Sequence, residues 1–364
     1  MTYMSKSKFH AQRETDFARA NRIHREILSQ KKVLQPYFNF LNRRFIQQAS
    51  HHYYCSNQDF HEASLAVMPD SQYAIYTRSN QLDLLDDLEL ATHMNVFPSM
   101  SAFNTSPIIY QIDKDYVDEI KTIPLSTPIT TFSKIPHIAL YIDFPVFRYK
   151  GFLVVKCKLV GVDGLKITFW LDNPDLETAK EVPMISPLGI FVPTQESNGV
   201  HKISTVADVL SGFEILKESA AKRREIQGTN PLEKGEEASV DIAQKILSVL
   251  LWLCVEEPDI SDFSGKCLDT MQLSRNYYKN NGKGVLLSPS APIVRLIGRR
   301  LGGEIRKFKE EIERFDAKPS NRTVRPHIRS GHWHGYWVGN GENKTYTLKW
   351  LNSMLVNVSG EHNG

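Results

Sequence analysis

From Arg325 to Trp337 the chain reads RPHIRSGHWHGYW, with three histidines, two tryptophans, a tyrosine and two arginines in thirteen residues. In an extended strand alternate side chains share a face, which puts Trp333 and Trp337 on one side with Gly335 between them and His332, His334 and Tyr336 on the other. After the turn signal Gly339-Asn340-Gly341, the run from Lys344 to Leu351 repeats the alternation. Tyr346, Leu348 and Trp350 fall on one face, and Thr345, Thr347 and Lys349 on the other. This pattern predicts a β-hairpin. One side of it, formed by the three tryptophans with Tyr346 and Leu348, needs a domain to pack against.

The histidines are not explained by that packing. A His-x-His pair on one strand face suits a zinc ion, and His327 supplies a third ligand only if the chain bends at Gly331, because an unbroken strand puts it on the opposite face. No fourth ligand or orienting carboxylate stands nearby in the sequence, so solvent-facing or hydrogen-bonding histidines are the expectation and His327, His332 and His334 the alternative metal set. Arg322, Arg325 and Arg329 suit an anion or a peptide carboxylate, or a solvated rim. The candidate binding residues are therefore Arg325, His327, Arg329, His332, Trp333, His334 and Trp337.

The same segment, continued by YTLKWLNSMLVN, resembles the C-terminal signature of a type V-A anti-CRISPR family, the second of that group, carried by phages and plasmids. The shared pattern is Arg-Pro-His, Gly/Ala-His-Trp-His, a second Trp, and a Leu-Lys-Trp-Leu strand ending in Val-Asn. Here these are Arg325, Pro326, His327, Gly331, His332, Trp333, His334, Trp337, Leu348, Lys349, Trp350, Leu351, Val356 and Asn357. The resemblance implies a regulator that lowers expression of the CRISPR type V-A effector nuclease by recognising the effector's N-terminal peptide as it emerges from the ribosome, with loss of the messenger RNA. It implies that peptide as partner, with the ribosome or mRNA as further contacts. It also implies the cytoplasm of a bacterial host and no cofactor, and it carries no catalytic residue over to a numbered position here.

Composition fits a soluble globular protein: 364 residues, 41% hydrophobic and 23% charged, with a net charge of +3. That balance argues against a dedicated nucleic-acid coat. Cys55, Cys157, Cys254 and Cys267 lack Cys-x-x-Cys spacing and are expected to be free thiols in a reducing compartment. Residues 1–30 have no apolar core of a secretory signal, and the most apolar run, Ile246 to Val255, is too short to span a bilayer.

The remaining pattern predicts an α+β fold. Thr15 to Gln47 is expected to form two helices, carrying Phe17, Ile23, Ile27 and Leu28, then Phe38, Leu41 and Phe45 beyond Pro36. This basic N-terminal region is expected to be a solvated helix face, with Arg43-Arg44 the alternative contact to RNA or ribosome. Strands at 137–143, 151–160, 165–171 and 189–192 predict a central, mainly antiparallel sheet, with Gly161-Val162-Asp163-Gly164 as a turn. Helices follow over Thr205 to Ile226, over Ser239 to Leu253, the latter apolar nearly all round and so deeply buried, and over Pro292 to Phe315, where Gly302-Gly303 is expected to weaken or bend the helix. The polar loop from Gly228 to Glu237 divides the chain into 1–227 and 238–364, or lies within one continuous domain.

Two charged stretches stand out. Asp83, Asp86, Asp87, Glu89, Asp113, Asp115, Asp118 and Glu119 predict an acidic surface, which either steers a basic peptide or complements basic parts of the same fold. Arg295, Arg299, Arg306 and Lys309 with the later arginines make the C-terminal stretch the best RNA candidate. Phosphate-loop, zincin, nucleophile-elbow and dinucleotide motifs are missing, and Pro69-Asp70 with Glu119-Ile120-Lys121 only imitates a nuclease triad. No enzyme is expected. The alternative to the peptide-recognition regulator is a metal-dependent nuclease or RNA-binding protein of a mobile element.

Overall fold

A computed structural model describes residues 18–27, 34–37, 39–40, 66, 97–105, 107–117, 119–120, 123–145, 149–159, 162–171, 185–198, 202–212, 239–262, 291–317, 325–341 and 344–357. Helix α1 (Phe97–Thr105) leads into strand β1 (Ile108–Ile112). A 3-10 helix (Ile129–Lys134) precedes β2 (Ala139–Asp143), β3 (Tyr149–Leu159), β4 (Val162–Leu171) and β5 (Ile185–Pro193). A two-residue pairing joins β6 (Ser197–Asn198) to β7 (Lys202–Ile203). Then come α2 (Ser239–Trp252), β8 (Ile260–Ser261), β9 (Ile293–Ile297) and α3 (Arg299–Asp316). The C-terminal strands are β10 (His327–Arg329), β11 (His332–Val338), β12 (Thr345–Leu351) and β13 (Met354–Val356).

One seven-stranded sheet, in the order β5-β4-β3-β2-β1-β9-β8, organises the molecule. Its outer pairs are antiparallel, as the sequence predicts, but β1 lies parallel to both β2 and β9. Both faces are covered. Ile108, Tyr110, Leu140, Ile142, Val154, Leu165 and Ile167 point into a core shared with α2 and α3. Ile109, Tyr141, Leu153, Val155 and Cys157 point into a second core with α1 and the helical residues Ala20, Ile23 and Ile27. A sheet buried on both sides reads as nearly continuous apolar runs. This explains why Lys166 and Thr168, opposite Leu165 and Ile167, are buried as well.

Three expectations need correction. The β3–β4 turn is tighter than the sequence suggests: β4 starts at Val162, and Gly164 pairs with Cys157 inside the ladder. The helix expected from Pro292 starts at Arg299, because the β-branched run Ile293–Ile297 pairs with β1 and Gly298, at φ 71°, makes the corner. Asp259 fixes that corner, its carboxylate accepting from the Leu301 amide at 2.9 Å and its carbonyl from the Gly298 amide at 2.8 Å. Gly302 and Gly303 lie within the unbroken α3. A Cβ on Gly302 would come within 2.6 Å of the Asp113 carboxyl carbon, so this glycine serves close packing rather than bending.

The helix over Ser239–Trp252 lies deep, as its apolar circumference demands. Residues 206–212 are helical, and the rest of the helix expected to Ile226 lies outside the described residues, as do the 228–237 loop, Cys55, Cys267, Arg43-Arg44, Pro69-Asp70 and the acids at 83–89. Cys157 and Cys254 are buried free thiols. Among the described residues no helix is long and apolar enough to cross a membrane.

Candidate functional site

The C-terminal strands form one ribbon. His327 pairs with Val356, Arg329 with Met354, His332 with Leu351 and Val338 with Thr345. Every pair keeps the same register, so the ribbon is continuous through its interruption at Ser330-Gly331 and Asn352-Ser353. Gly339 and Gly341 both have positive φ at its tip, which fits the turn read from the sequence.

The two faces separate as the alternation predicts. On the inner face Trp333 opposes Trp350, Gly335 opposes Leu348, and Trp337 opposes Tyr346. Trp333 and Leu348 are buried in the first core, while Tyr346 and Trp350 pack against it. Trp252 at the end of α2 and Tyr116 after β1 receive them. The Trp252 ring lies 5.9 Å from Trp333, 5.5 Å from Trp350 and 5.1 Å from Tyr116, and Trp333 lies 5.0 Å from Trp350, all edge to face. This is a favourable aromatic geometry. Yet among the described residues the buried indole N–H groups of Trp252, Trp333 and Trp350 and the Tyr116 hydroxyl find no hydrogen-bond partner, and ring packing is what joins the cluster.

Trp337 departs from expectation. It shares the inner face but is 61% exposed, edge-on to Tyr346 at 5.2 Å. Four residues of strand carry it roughly 14 Å past Trp333, beyond the platform of Trp252 and Tyr116.

A carboxylate clasps the interruption. Glu119 accepts from the Gly331 amide at 2.8 Å and from the Ser353 hydroxyl at 2.6 Å, and Ser353 Oγ also accepts from Gly331 at 3.0 Å. Gly331 is needed here: a Cβ would sit 2.9 Å from Trp350 Cε2 and 3.0 Å from the Leu351 carbonyl oxygen. Glu119 is thus a tether for the ribbon, while Asp70 and Lys121 of the nuclease-like triplet lie outside the described residues.

The outer face carries exposed His332 and His334, half-buried Tyr336 with its ring 5.8 Å from His334, and exposed Lys349. His327 is exposed on β10, 3.5 Å from the Asn357 side-chain amide. Among the described residues no three His, Cys, Asp or Glu side chains come together as a metal set, so His327, His332 and His334 are not gathered into one.

Three of the seven cations proposed for RNA, Arg306, Lys309 and Arg325, face acids. Arg306 donates to Asp113 at 2.8 Å and to Asp115 at 2.6 Å, with Lys309 at 3.3 Å from Asp115. Partial burial opposes the charge on Asp115, but the hydrogen bonds and charge of Arg306, then Lys309, leave its carboxyl below the usual range. Arg300 pairs with Glu304, Arg314 with Glu310 and Arg325 with Asp316. Arg295 belongs to β9 and is half-buried, not on the surface of a helix. Asp113 and Asp115 and the basic α3 therefore complement each other within the fold. Arg329 is exposed on β10, and Arg322 lies outside the described residues.

Sequence reasoning missed the platform under the ribbon. Trp252 reads as one more apolar residue of α2, and Tyr116 sits within an acidic run that hides it. It also missed a shallow recess beside β12, a cavity of about 20 Å³, between Tyr346, Thr347 and Leu348 on the strand and Thr131, Lys134, Cys254, Val255 and Glu256 opposite.

The model of the AcrVA2-like family, anti-CRISPR type V subtype A2, matches residues 110–358, which include the central strands, α2, α3 and the whole ribbon. A solved structure, "Crystal structure of AcrVA2", is similar in fold, with a TM-score of 0.61 at 22% identity over 93% of this chain and 98% of that one. No curated protein matches the sequence.

Proposed function

The chain belongs to the AcrVA2-like, anti-CRISPR type V subtype A2 family, and from that premise we propose that it lowers the messenger and protein levels of a type V-A CRISPR effector nuclease by recognising the effector's N-terminal peptide as it leaves the ribosome. The family match over 110–358 carries this reading. It acts in the cytoplasm of the bacterial host, with the peptide as its partner and the ribosome or messenger as neighbours.

Two features of the molecule support a peptide over a nucleic acid. Arg300, Arg306, Lys309 and Arg314 on α3 face acids of the same chain, so they do not form an unpaired basic stripe of the kind phosphate binding needs. The ribbon, in contrast, offers exposed polar and aromatic side chains, His332, His334, Trp337 and Lys349, on a rigidly seated β-structure. Strand edges and aromatic surfaces are common means of binding extended peptides. Within the candidate set, His327, Arg329, His332, His334 and Trp337 form the accessible surface. Trp333 sets the ribbon's seat, and Arg325 is held by Asp316.

A pair of reporters separates peptide from message. The effector's N-terminal coding segment is fused to a reporter and recoded in two ways: synonymously, keeping the peptide, and by compensated frameshift, keeping nearly the same RNA. Peptide recognition requires that reporter protein and mRNA fall with the synonymous version and stay level with the frameshifted one. The opposite pattern assigns the protein to RNA recognition, the alternative reading.

A further inference from the structure

We propose that Asn340, at the tip of the ribbon, is a self-modifying site: the Gly341 backbone nitrogen closes on the Asn340 side chain, and the asparagine becomes aspartate or isoaspartate. This chemistry needs no partner and is independent of the peptide-recognition reading above.

An asparagine followed by glycine keeps its side-chain amide carbon within one ring closure of the next backbone nitrogen. The covalent link gives the reaction its intramolecular advantage, and any restraint that stops the nitrogen swinging onto the carbon takes that advantage away. The tip lacks such restraints. Gly339, Asn340 and Gly341 are all exposed. Among the described residues, neither the Gly341 amide nor the Asn340 side chain has a hydrogen-bond partner. A Cβ built on Gly341 meets nothing within 4 Å beyond its chain neighbours. Asn340 also stands between two glycines, at φ 117° and 60°, whose backbones turn more freely than those of other residues. Asn198 is likewise followed by glycine, but it pairs with Lys202 in the β6–β7 ladder, which holds its backbone extended.

The step balances with water as the only co-reactant. The Gly341 nitrogen loses its proton to hydroxide and attacks Asn340 Cγ, and the side-chain nitrogen leaves as ammonia, closing a succinimide ring. Water then opens the ring at either carbonyl. Attack at Cγ breaks the new bond and leaves aspartate in an ordinary backbone, whereas attack at the main-chain carbonyl leaves isoaspartate, with an extra methylene in the chain.

Either product changes what the ribbon displays. Residues 325–341 and 344–357 contain no aspartate or glutamate, so the new carboxylate is the first acid on the described ribbon, close in sequence to exposed Trp337, Val338 and Lys344. Isoaspartate also lengthens the turn. Trp333 and Trp350 are seated on Trp252, and Glu119 clasps the far end at Gly331, so the strands cannot slip to absorb the added length. The disturbance therefore stays at the last pair before the tip, Val338 with Thr345.

The test is peptide mapping by mass spectrometry of the full chain, held at neutral and mildly alkaline pH, beside synthetic peptides copying 337–345 and 195–203. Asn340 should convert within about threefold of the rate in its peptide, and Asn198 at least about tenfold more slowly than in its own. Conversion should quicken as pH rises, because the attacking nitrogen must lose a proton, and both aspartate and isoaspartate should appear. Asn340→Gln, which demands a larger ring, should abolish the reaction without changing the melting temperature. In the isoaspartate form, separated by chromatography, amide exchange should quicken at Val338 and Thr345 and stay unchanged at 333–335. If Asn340 survives conditions that convert its peptide, the tip holds the nitrogen away from Cγ and the proposal is overturned. If Asn198 converts as readily as Asn340, the open tip selects nothing and the proposal fails equally.

Discussion

Truncating Trp333 should cost far more than truncating its neighbours, and the structure says by how much. Trp333 is 8% exposed and touches the rings of Trp252 and Trp350. Trp→Ala in a packed core costs about 3–5 kcal/mol. His332→Ala, on the exposed face one residue away, should stay within about 0.5 kcal/mol. The informative variant is Trp333→Phe. It keeps an aromatic ring in the cluster but removes a buried indole N–H that has no acceptor among the described residues. Leaving such a donor unsatisfied costs about 1–3 kcal/mol, so relief of that penalty offsets most of the lost ring volume, and the net change should be under about 1 kcal/mol. Because the ribbon is a C-terminal unit that opens locally, amide exchange of 327–357 is the right assay. A loss of 3–5 kcal/mol lowers protection by roughly two to three and a half powers of ten. If Trp333→Phe is as damaging as Trp333→Ala, the indole N–H has an acceptor after all and the packing-only account of the cluster is wrong.

Glu119→Ala should loosen the ribbon at its interruption by about 1–2 kcal/mol, since Gly331 and Ser353 lose their shared acceptor; faster exchange at the Gly331 amide is the readout, and an unchanged rate refutes the clasp. His137 is buried, 3.0 Å from the Tyr110 hydroxyl, and burial, then the charges of Arg295 and Lys156, push its pKa down to about 3. The folded state therefore refuses a proton that the unfolded chain takes up below about 6.5. Stability is complete above that pH and falls as pH drops toward 3. His137→Gln should flatten the melting temperature between pH 6.5 and 4, and an equally steep curve would count against this account. Burial raises the Cys157 thiol to about 11 and that of Cys254 to about 12, so native protein treated with iodoacetamide near neutral pH should carry label at neither position. Rapid native labelling at either, mapped by mass spectrometry, contradicts their placement.

The ribbon was the most legible part of the chain because period-two alternation fixes both faces once the turn is known. Trp333, Tyr346, Leu348 and Trp350 pack inward and His332 and His334 face out, as read from spacing. Trp337 was misplaced because alternation gives a face, not the extent of what lies beneath it. The central strands were legible from β-branched and aromatic runs. β1 was not recognised, since IIYQI is short and stands beside an acidic segment, and β9 was absorbed into the helix that follows it. Parallel pairing of these two is non-local and leaves no turn signature. The charges misled for a related reason: Arg306 and Asp113 lie far apart in sequence, and composition cannot show that they meet. The β12 recess arises from three separated segments, so no local pattern announces it.

The unbroken register of the ribbon also governs how this region is able to diversify. Loss or gain of one residue in either arm would exchange its two sides, throwing tryptophans into water and driving histidines and lysine against Trp252. Replacement of outward side chains carries no such penalty. Length is therefore rigidly constrained while outward chemistry is free to drift, and insertions should be tolerated only at the tip around Gly339–Gly341. What the ribbon displays is thus able to change one position at a time without re-solving how the display is mounted.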